Sequence, residues 1–300
     1  MSDVRVSQLL LERLISTNGL AVRKSMEDDA FWYTSGIPGP FYINTENIAG
    51  KNEAIEVLNN LNNILKANQS KEQQSKAILK TVNQVVNADK SYDASIDALL
   101  EFYLSQNSNE PSMISGGERR DWFFSIPIAK KLKIPHIFLY KNGEYHVTDH
   151  EGNSVELDLH NKKVLHVADI INQASSYSNR WIPILKNAGV EFSETLSVAV
   201  RSQEGIDKLR ENNISVISPL IVDIPLFMEA YNLGLINEFA YNEIGLYYHS
   251  PESWTRQFIK GNSINYSLKS NIDNVKDGRI QSFKENDPYQ LKNEFPWFFS

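Results

Sequence analysis

The chain of 300 residues contains no cysteine, which excludes disulfides, thiolate nucleophiles and cysteine-held metal sites. It also lacks any apolar run that approaches the ~20 residues of a transmembrane helix. Its first apolar stretch is interrupted by Glu12 and Arg13, and no signal-peptide cleavage pattern follows. Because a cysteine-free chain suits a reducing compartment, we predict a cytoplasmic protein.

Positive charge is in deficit, with 30 lysines and arginines against 37 acidic residues and a formal net charge of -7 at pH 7. Nucleic acids and anionic membranes attract proteins through a positive field. We therefore expect no nucleic-acid partner and no membrane partner. The hydrophobic fraction of 41% is enough to fill the core of a globular protein of this length.

The common short signatures of catalysis are missing as well. The chain has no Gly-x-Ser-x-Gly elbow, no Walker loop and no His-Glu-x-x-His pair. The sequence "HVTDH" places His146 and His150 on one strand face with Asp149 nearby. A zinc site needs a third convergent ligand, so we predict no protein-held metal from these residues.

The chain divides into four segments by its residue patterns. Residues 1–50 are predicted to form an N-terminal helix and a hood-like segment, and residues 51–110 a helical insertion, because apolar residues recur there at helical spacing. From Pro111 onward, short β-branched runs alternate with helical patterns, which predicts an α/β core with a parallel sheet over residues 111–222. Residues 223–300 are predicted as C-terminal helices and an aromatic tail that docks on the body.

Two smaller features interrupt the predicted core. Polar and apolar residues alternate on both sides of the turn Glu151–Asn153, which predicts a projecting hairpin. The stretch from Lys163 to Tyr177 reads as a buried strand, then Asp169, then a small-residue loop that leads into a helix. In an open parallel sheet, ligands bind beyond the carboxyl ends of the strands, and such a loop offers N–H groups to phosphate. A plain strand-to-helix turn is an equally weighted alternative.

This stretch resembles the phosphoribosyl-diphosphate-binding motif of type I phosphoribosyltransferases. Three other segments are similar to orotate phosphoribosyltransferase in the order of that family, and a fourth matches its strand end: "AFWYTSGIPGPFYINTENI" at 30–48, "FFSIPIAKKL" at 123–132, "YKNGEYH" at 140–146 and "LSVAVRSQEG" at 196–205. The resemblance covers roughly residues 30–205. It implies a type I phosphoribosyltransferase-like core carrying the hairpin, the helical insertion and the C-terminal helices.

The resemblance implies a reaction and its components. The family transfers ribose 5-phosphate from phosphoribosyl diphosphate to a base nitrogen, with Mg²⁺ as cofactor. The expected partner is phosphoribosyl diphosphate or a nucleotide-like small molecule, and a homodimer is expected. The corresponding residues here are Asp169 for the ribose, with Lys141 and His146 as basic loop residues of the catalytic set. Phosphate binding would fall to Ala174, Ser175 and Ser176, and base binding to Asn172 and Arg201.

The sequence departs from the family at positions with physical roles. Ala168 stands where the family has the first of two acids, and the family's lysines correspond to Thr34, Phe124 and Glu144. Loss of pre-organised positive charge weakens the stabilisation of a leaving diphosphate. A replacement set precedes the helix at 123–132: we predict that Gly116, Gly117, Arg119 and Arg120 bind phosphate. The alternative for these four residues is a solvated charged turn.

Three functions remain open from the sequence. The first is a divergent phosphoribosyltransferase, and the second is a binding or regulatory protein that holds a nucleotide or phosphoribosyl ligand without turnover. The third is a scaffold kept for protein contacts. Because a fold hosts many functions, the fold does not choose among them.

Overall fold

The computed structural model describes residues 3–106, 110–261 and 274–299 of the chain. Contacts divide the chain into two compact units: Met1–Gly19 with Asn44–Val222, and Leu20–Ile43 with Asp223–Ser300. The helical insertion and the α/β core of the sequence analysis fall in the first unit, whereas the segment 1–50 is shared between the two.

The helices are α1 (Asp3–Ser16), α2 (Lys51–Lys66), α3 (Lys71–Ala88), α4 (Lys90–Gln106), α5 (Trp122–Leu132), α6 (Ile182–Asn187), α7 (Gln203–Glu211), α8 (Ile224–Asn232), α9 (Glu238–His249), α10 (Pro251–Gly261), α11 (Asn274–Asn286) and α12 (Pro296–Phe299). The strands are β1 (Leu20–Val22), β2 (Phe31–Trp32), β3 (Pro38–Gly39), β4 (Phe41–Ile43), β5 (Met113–Gly117), β6 (His136–Leu139), β7 (Tyr145–Thr148), β8 (Lys163–Ile171), β9 (Glu191–Val200), β10 (Ser215–Ile217) and β11 (Leu220–Ile221). A 3₁₀ helix spans Thr45–Ala49, and a π-helical turn spans Tyr177–Trp181.

The first unit is built around one sheet in the order β10-β9-β8-β5-β6-β7, with β11 also paired to β9. All of these pairs are parallel except the pair of β6 and β7. Every residue of β5 and β6 is buried, as is most of β8, which is the expected state of parallel strands covered on both faces. The predicted α/β class with a parallel sheet is confirmed.

The predicted hairpin has its turn and its first strand, but a single bridge takes the place of its second strand. The turn is present, since the Asp149 N–H donates to the Asn153 carbonyl at 2.9 Å. The first strand, β7, pairs along its whole length with β6 and so belongs to the main sheet. After the turn, one bridge between Thr148 and Ser154 replaces the second strand. The backbone hydrogen bonds of β7 on one side are made with the buried β6, so β7 forms without a second hairpin strand.

The helical insertion is confirmed as three consecutive helices, α2 to α4. The insertion contacts the core at several places, including a hydrogen bond from the Tyr103 hydroxyl of α4 to Glu194 of β9 at 3.0 Å. Another contact lies at the start of α3, where the Ser70 side chain caps the helix. The Lys71 ammonium lies 3.9 Å from the centre of the Tyr140 ring and 3.1 Å from a Glu144 carboxylate oxygen. The insertion is therefore anchored to the turn that follows β6.

The second unit has an aromatic core. Its strands form two antiparallel pairs, β1 with β4 and β2 with β3. The Trp32 ring lies edge-on to the Phe283 ring at 5.6 Å. Phe298 is buried, and its ring lies 6.2 Å from the Phe283 ring. Within this unit, the prediction that the aromatic residues of "PWFFS" (296–300) dock on a folded body is confirmed at Phe298. Ser300, the last residue of that motif, lies outside the described residues.

His136, the first residue of β6, is expected to make the protein less stable in acid. Its ring is fully buried, with Nε2 2.9 Å from the Ser125 hydroxyl. Burial, followed by the nearby His166, lowers the pKa of His136 from 6.5 to about 3. As the pH falls below 6.5, the unfolded state gains a proton that the folded state does not accept, so stability is lost. The maximum slope from one such group is about 1.4 kcal/mol per pH unit.

Urea unfolding at about pH 7, 6 and 5 measures this slope. In the His136→Gln variant, whose amide can still bond to Ser125, the stability should depend less steeply on pH than in the native chain. His160→Gln, at an exposed position, is the control and should keep the native slope. Equal slopes in His136→Gln and the native chain would show that His136 does not carry the acid sensitivity.

Candidate functional site

The carboxyl ends of the parallel strands meet at one edge of the sheet, and the loops that leave them form the candidate site. The registers pair Gly117 of β5 with Leu139 of β6, and Ile171 of β8 with Val200 of β9. All site residues predicted from the sequence lie in these strand ends and loops except His146. His146 lies on β7 opposite Phe138.

Asp121 ties the ends of β5 and β8 together. Its Oδ2 accepts a hydrogen bond from the Gly117 N–H at 2.9 Å, and its Oδ1 accepts one from the Asp169 N–H at 3.0 Å. It also lies 3.5 Å from Nε2 of the buried His166. Asp121 is not among the site residues predicted from the sequence. The available signal was its position directly before the helix at Trp122, where acidic residues are common.

Asp169 lies at the end of β8 and is half-buried. Its Oδ1 accepts a hydrogen bond from the Ile170 N–H at 2.7 Å. Burial, followed by the neighbouring carboxylates of Asp121 and Glu46, raises the pKa of Asp169 well above its ordinary value. The carboxyl group is therefore easier to protonate than a surface aspartate and can donate a hydrogen bond as well as accept one.

Asp169→Asn is expected to raise the melting temperature at neutral pH. Since the pKa of Asp169 is higher in the folded chain than in the unfolded chain, the unfolded state loses this proton first as the pH rises from about 3.8. Stability falls over that range until the folded-state pKa is passed. Asparagine does not ionise, and its Oδ1 can still accept from Ile170. The advantage of the variant should therefore be larger near pH 7 than near pH 4.

Thermal unfolding at the two pH values measures this difference. Asp158→Asn is the matched control, because Asp158 is exposed and its Oδ1 also accepts a nearby backbone N–H, that of His160 at 3.0 Å. The control should melt like the native chain at both pH values. An Asp169→Asn variant that melts below the native chain at neutral pH contradicts the expectation.

The loop after β8 exposes two hydroxyl groups beside Asp169. Ala174 has a φ of 51°, in the left-handed region that residues other than glycine adopt rarely. The chain turns there into the helical residues Ser175 and Ser176, both exposed. Within the described residues, neither hydroxyl group makes a hydrogen bond. The geometry is that of a strand-to-helix turn whose hydroxyls face solvent, and phosphate binding by Ala174, Ser175 and Ser176 stays a prediction.

Gly116 and Gly117 allow two helical segments to pack closely on β5. A Cβ atom at Gly116 would lie 2.1 Å from the Ser125 Oγ, and one at Gly117 would lie 2.4 Å from the Trp181 ring. Both glycines are buried, and the Gly117 N–H already donates to Asp121. Close packing accounts for both glycines, and their contact with phosphate stays a prediction.

Four cationic side chains gather at the same edge: Arg119, Arg120, Lys141 and Arg180, named here the cation cluster. Burial lowers the pKa of Lys141, Arg119 lowers it further, and Arg180 and Arg120 act in the same direction. Glu118 opposes them, with an oxygen 4.0 Å from the Lys141 ammonium. The three loops that carry these charges adjoin one another, because the Glu118 N–H donates to the Leu139 carbonyl at 2.9 Å and the Trp181 ring packs beside Gly117. Arg180 was missed by the sequence analysis.

The members of the cation cluster differ in their partners. Arg120 Nε donates to Oε1 of the buried Glu46 at 2.8 Å. The Lys141 backbone N–H donates to Glu118 at 3.1 Å. Among the residues that the structure describes, neither Arg119 nor Arg180 forms an ion pair or a side-chain hydrogen bond. These two guanidinium groups therefore have donors available for an anion.

The fold of the chain is similar to that of solved protein structures. No protein-family model and no curated protein matches the chain. Among solved structures, UMP synthase of Leishmania donovani matches with a TM-score of 0.54 and 11% identity, over 82% of this chain and 42% of that chain. The chain thus spans less than half the length of that protein. The orotate phosphoribosyltransferases of Francisella tularensis (TM-score 0.49, 15% identity, 79% of this chain and 95% of that chain) and Aeropyrum pernix (0.47, 16%, 76% and 99%) also match.

The chain has a type I phosphoribosyltransferase-like fold. At these identities the likeness establishes the fold alone. The resemblance read from the sequence is confirmed to that extent.

On this phosphoribosyltransferase-like fold, the two predicted base-binding residues are neighbours. The Arg201 N–H donates to the Ile171 carbonyl at 2.8 Å, so Arg201 and Asn172 continue from adjacent strands. Helix α7 starts directly against them, because a Cβ atom at Gly205 would lie 1.9 Å from the Asn172 carbonyl oxygen. The arrangement brings Asn172 and Arg201 together at the edge of the sheet, and their contact with a base stays a prediction.

The positions that correspond to the family's lysines have other surroundings. Phe124 is buried within α5, and Glu144 pairs with Lys71 of the insertion. Thr34 belongs to the second unit. The positive charge at the strand ends comes instead from the cation cluster.

His146 is held by its own hairpin. Its Nε2 lies 2.8 Å from the Ser154 hydroxyl, and burial lowers its pKa despite the opposing effect of Glu72. A catalytic role for His146 stays a prediction.

The described residues contain no group of three or more His, Cys, Asp or Glu residues that could hold a metal ion. None of the helices in the described ranges has the length and apolar character needed to cross a membrane.

Proposed function

We propose that the chain binds a phosphorylated ribose that carries a diphosphate, with phosphoribosyl diphosphate as the ligand. The observation that carries the proposal is the cation cluster at the carboxyl ends of β5, β6 and β8, next to Asp169. The chain as a whole is acidic, with a net charge of -7, so the gathering of four cations at this edge is local. A confined positive site suits a small polyanion and does not suit a nucleic-acid strand.

The diphosphate fits the cation cluster. The planar guanidinium group of arginine offers two parallel N–H bonds to a phosphate, and Arg119 and Arg180 have such donors available. The Lys141 ammonium adds a point charge from the adjacent loop.

The sugar and its 5-phosphate fit the end of β8. A ribose hydroxyl can donate to the Asp169 carboxylate or accept from the protonated acid. Ser175 and Ser176 supply exposed hydroxyl groups and early N–H groups of a helical turn, both of which suit a phosphate. The ligand would span from the loop after β8 to the loop after β5.

Ribose transfer is the second candidate. In that reaction the bond between sugar C1 and the diphosphate oxygen breaks, and the diphosphate leaves with the bonding electrons. A base nitrogen, having lost its proton to solvent, forms the new bond to C1. Arg119 and Lys141 would stabilise the charge that develops on the leaving diphosphate. Asn172 and Arg201 would face the base, and orotate is the acceptor by resemblance. The alanine at 168 and the pairing of Glu144 with Lys71 favour binding over transfer.

Thermal unfolding with phosphoribosyl diphosphate tests the binding proposal. A ligand at 100 times its dissociation constant adds about 2.7 kcal/mol of stability, which raises the melting temperature measurably. Phosphoribosyl diphosphate should stabilise the chain more than ribose 5-phosphate does, because the latter lacks the diphosphate. Lys141→Met should reduce the effect, and Lys186→Met, on an exposed residue in the last turn of α6, should leave it unchanged.

The same samples separate the two candidates. Release of diphosphate with orotate or another base, above the rate without protein, establishes transfer. Stabilisation without release establishes binding alone. Equal melting temperatures with and without phosphoribosyl diphosphate at saturating concentration contradict both.

By resemblance, we also propose that the protein is a homodimer. The absence of cysteine suits a reducing compartment, so we propose a cytoplasmic location. Sedimentation equilibrium of the full chain measures the mass in solution against the 34.2 kDa of one chain. A mass of one chain at all concentrations would refute the dimer.

A further inference from the structure

Contacts made by residues that flank the cation cluster in sequence hold its three loops together. The Glu118 N–H donates to the Leu139 carbonyl at 2.9 Å, which holds the loop after β5 against the end of β6. The Trp181 ring occupies the space beside Gly117, where a Cβ atom would lie only 2.4 Å away. These contacts lie one or two residues from Arg119, Lys141 and Arg180 in sequence. The fold therefore places the three cations at the same edge of the sheet.

Three members of the cation cluster are unpaired or weakly paired. Arg119 and Arg180 have no carboxylate partner among the described residues, and the Lys141 ammonium lies 4.0 Å from Glu118, at the limit of an ion pair. The carboxylates of Glu46, Asp121 and Asp169 lie at the same edge, but within the described residues none of them forms an ion pair with these three cations. The Lys141 side chain is 44% exposed, so it can be reached by an anion from solvent.

The carboxylates nearby do not fit a protein-held Mg²⁺, the cofactor that the resemblance implies. Mg²⁺ requires six oxygens in near-octahedral geometry, usually including one or two carboxylates. Both oxygens of Asp121 already accept backbone N–H groups, and Oδ1 of Asp169 accepts the Ile170 N–H. Within the described residues, two oxygens of these carboxylates have no hydrogen-bond donor: Oε2 of Glu46, whose Oε1 binds Arg120, and Oδ2 of Asp169. The described carboxylates form no group of three that could hold a metal ion, and four cations lie at the same edge.

We infer that this site binds diphosphate without a divalent cation, because Arg119, Lys141 and Arg180 supply the positive charge that a metal ion would otherwise bring. The inference rests on the proposed function, since it concerns the same site. It has a consequence for added metal. Mg²⁺ forms complexes with free diphosphate and reduces its charge, so it competes with the cation cluster for the same oxygens. Added Mg²⁺ should therefore leave the affinity unchanged or lower it.

Calorimetric titration of the full chain with inorganic diphosphate, once in EDTA and once in excess MgCl₂, tests the inference. We expect binding in EDTA at an affinity equal to or higher than that in MgCl₂. Binding that appears only with MgCl₂, or that is about tenfold tighter with it, overturns the inference and leaves the proposed function intact. An absence of binding in both solutions overturns the inference together with the proposed function.

A variant at Arg180 assigns the effect to the cation cluster. Arg180 is exposed, so Arg180→Gln should fold normally, which circular dichroism verifies. In EDTA it should bind diphosphate about 10- to 100-fold more weakly, as expected for the loss of one charge-assisted hydrogen bond. Lys186→Gln is the control and should bind like the native chain. Native affinity of Arg180→Gln in EDTA contradicts the assignment.

Discussion

Replacement of Arg119 and Arg180 together by glutamine is expected to lower the affinity for diphosphate about 100- to 10,000-fold. Each hydrogen bond to a charged group is worth about 1.5–3 kcal/mol, and a factor of ten corresponds to about 1.4 kcal/mol. Both guanidinium groups lack protein partners among the described residues, so neither substitution leaves a buried carboxylate uncompensated. The loss should therefore appear in binding and leave the stability of the unliganded chain nearly unchanged.

Titration of four proteins completes this experiment: the native chain, each single variant and the double variant. The predicted loss is the sum of the two single effects, and any departure of the double variant from that sum measures the coupling of the two arginines through the ligand. The control is Lys130→Gln with Lys186→Gln, which removes two exposed charges from α5 and α6 away from the strand ends. A double variant that binds diphosphate within a few-fold of the control would exclude the cation cluster as the site.

Removal of the Glu243 carboxylate is expected to cost about 3–5 kcal/mol of stability, as for other buried ion pairs that lose one partner. Glu243 pairs with Arg23, whose side chain is only 3% exposed. The Arg23 guanidinium also lies 4.9 Å from the centre of the Phe258 ring, and the Trp254 indole N–H donates to Glu243 at 2.9 Å. In Glu243→Ala the buried cation keeps its aromatic neighbours and loses its counter-charge.

Urea unfolding of three variants measures this cost. Glu243→Gln retains a hydrogen-bond acceptor for Trp254 and should lose less than Glu243→Ala. Glu252→Ala breaks a pair with Arg256 in which both side chains are at least 40% exposed, so its cost should be below about 1 kcal/mol. If Glu243→Ala unfolds at the same urea concentration as Glu252→Ala, the buried pair does not stabilise the second unit.

The central strands were predictable from local sequence because most of their residues are buried. The runs "HIFLY", "KVLHVAD" and "ETLSVAV" correspond to β6, β8 and β9, of which β6 is wholly buried and the other two are buried over most of their length. Such strands are rich in apolar residues on both faces, and this pattern is visible without knowledge of any partner. The helices of the insertion were predictable for the corresponding reason, since each buries one face.

Residues 20–43 show what local patterns leave out. The sequence analysis kept them with the first helix as one segment, whereas their strands belong with residues 223–300 in the second unit. Their pairs are two or three residues long, and the ring packed on Trp32 comes from Phe283. Contacts between residues distant in sequence decide which short strands pair. Hydrophobic periodicity and amino-acid composition do not indicate such contacts.

The site was predictable in part for the same reason. Asp169, Lys141, Arg119 and Arg120 follow strand ends, and a parallel sheet brings strand ends to one edge. Glu46, Asp121 and Arg180 were missed, because their approach depends on the order of the strands and on the π-helical turn that carries Arg180. The glycine at position 117 indicated a close packing contact on β5. Only the structure identifies the partner as Trp181, which is next to Arg180.

A crystal structure of the full chain grown with phosphoribosyl diphosphate is the most direct test of the proposed site. We expect diphosphate density between Arg119, Arg180 and Lys141, with the ribose at Asp169 and the 5-phosphate at Ser175 and Ser176. Ligand density at another place, or an unliganded strand-end edge in crystals grown with the ligand at saturation, would refute this site.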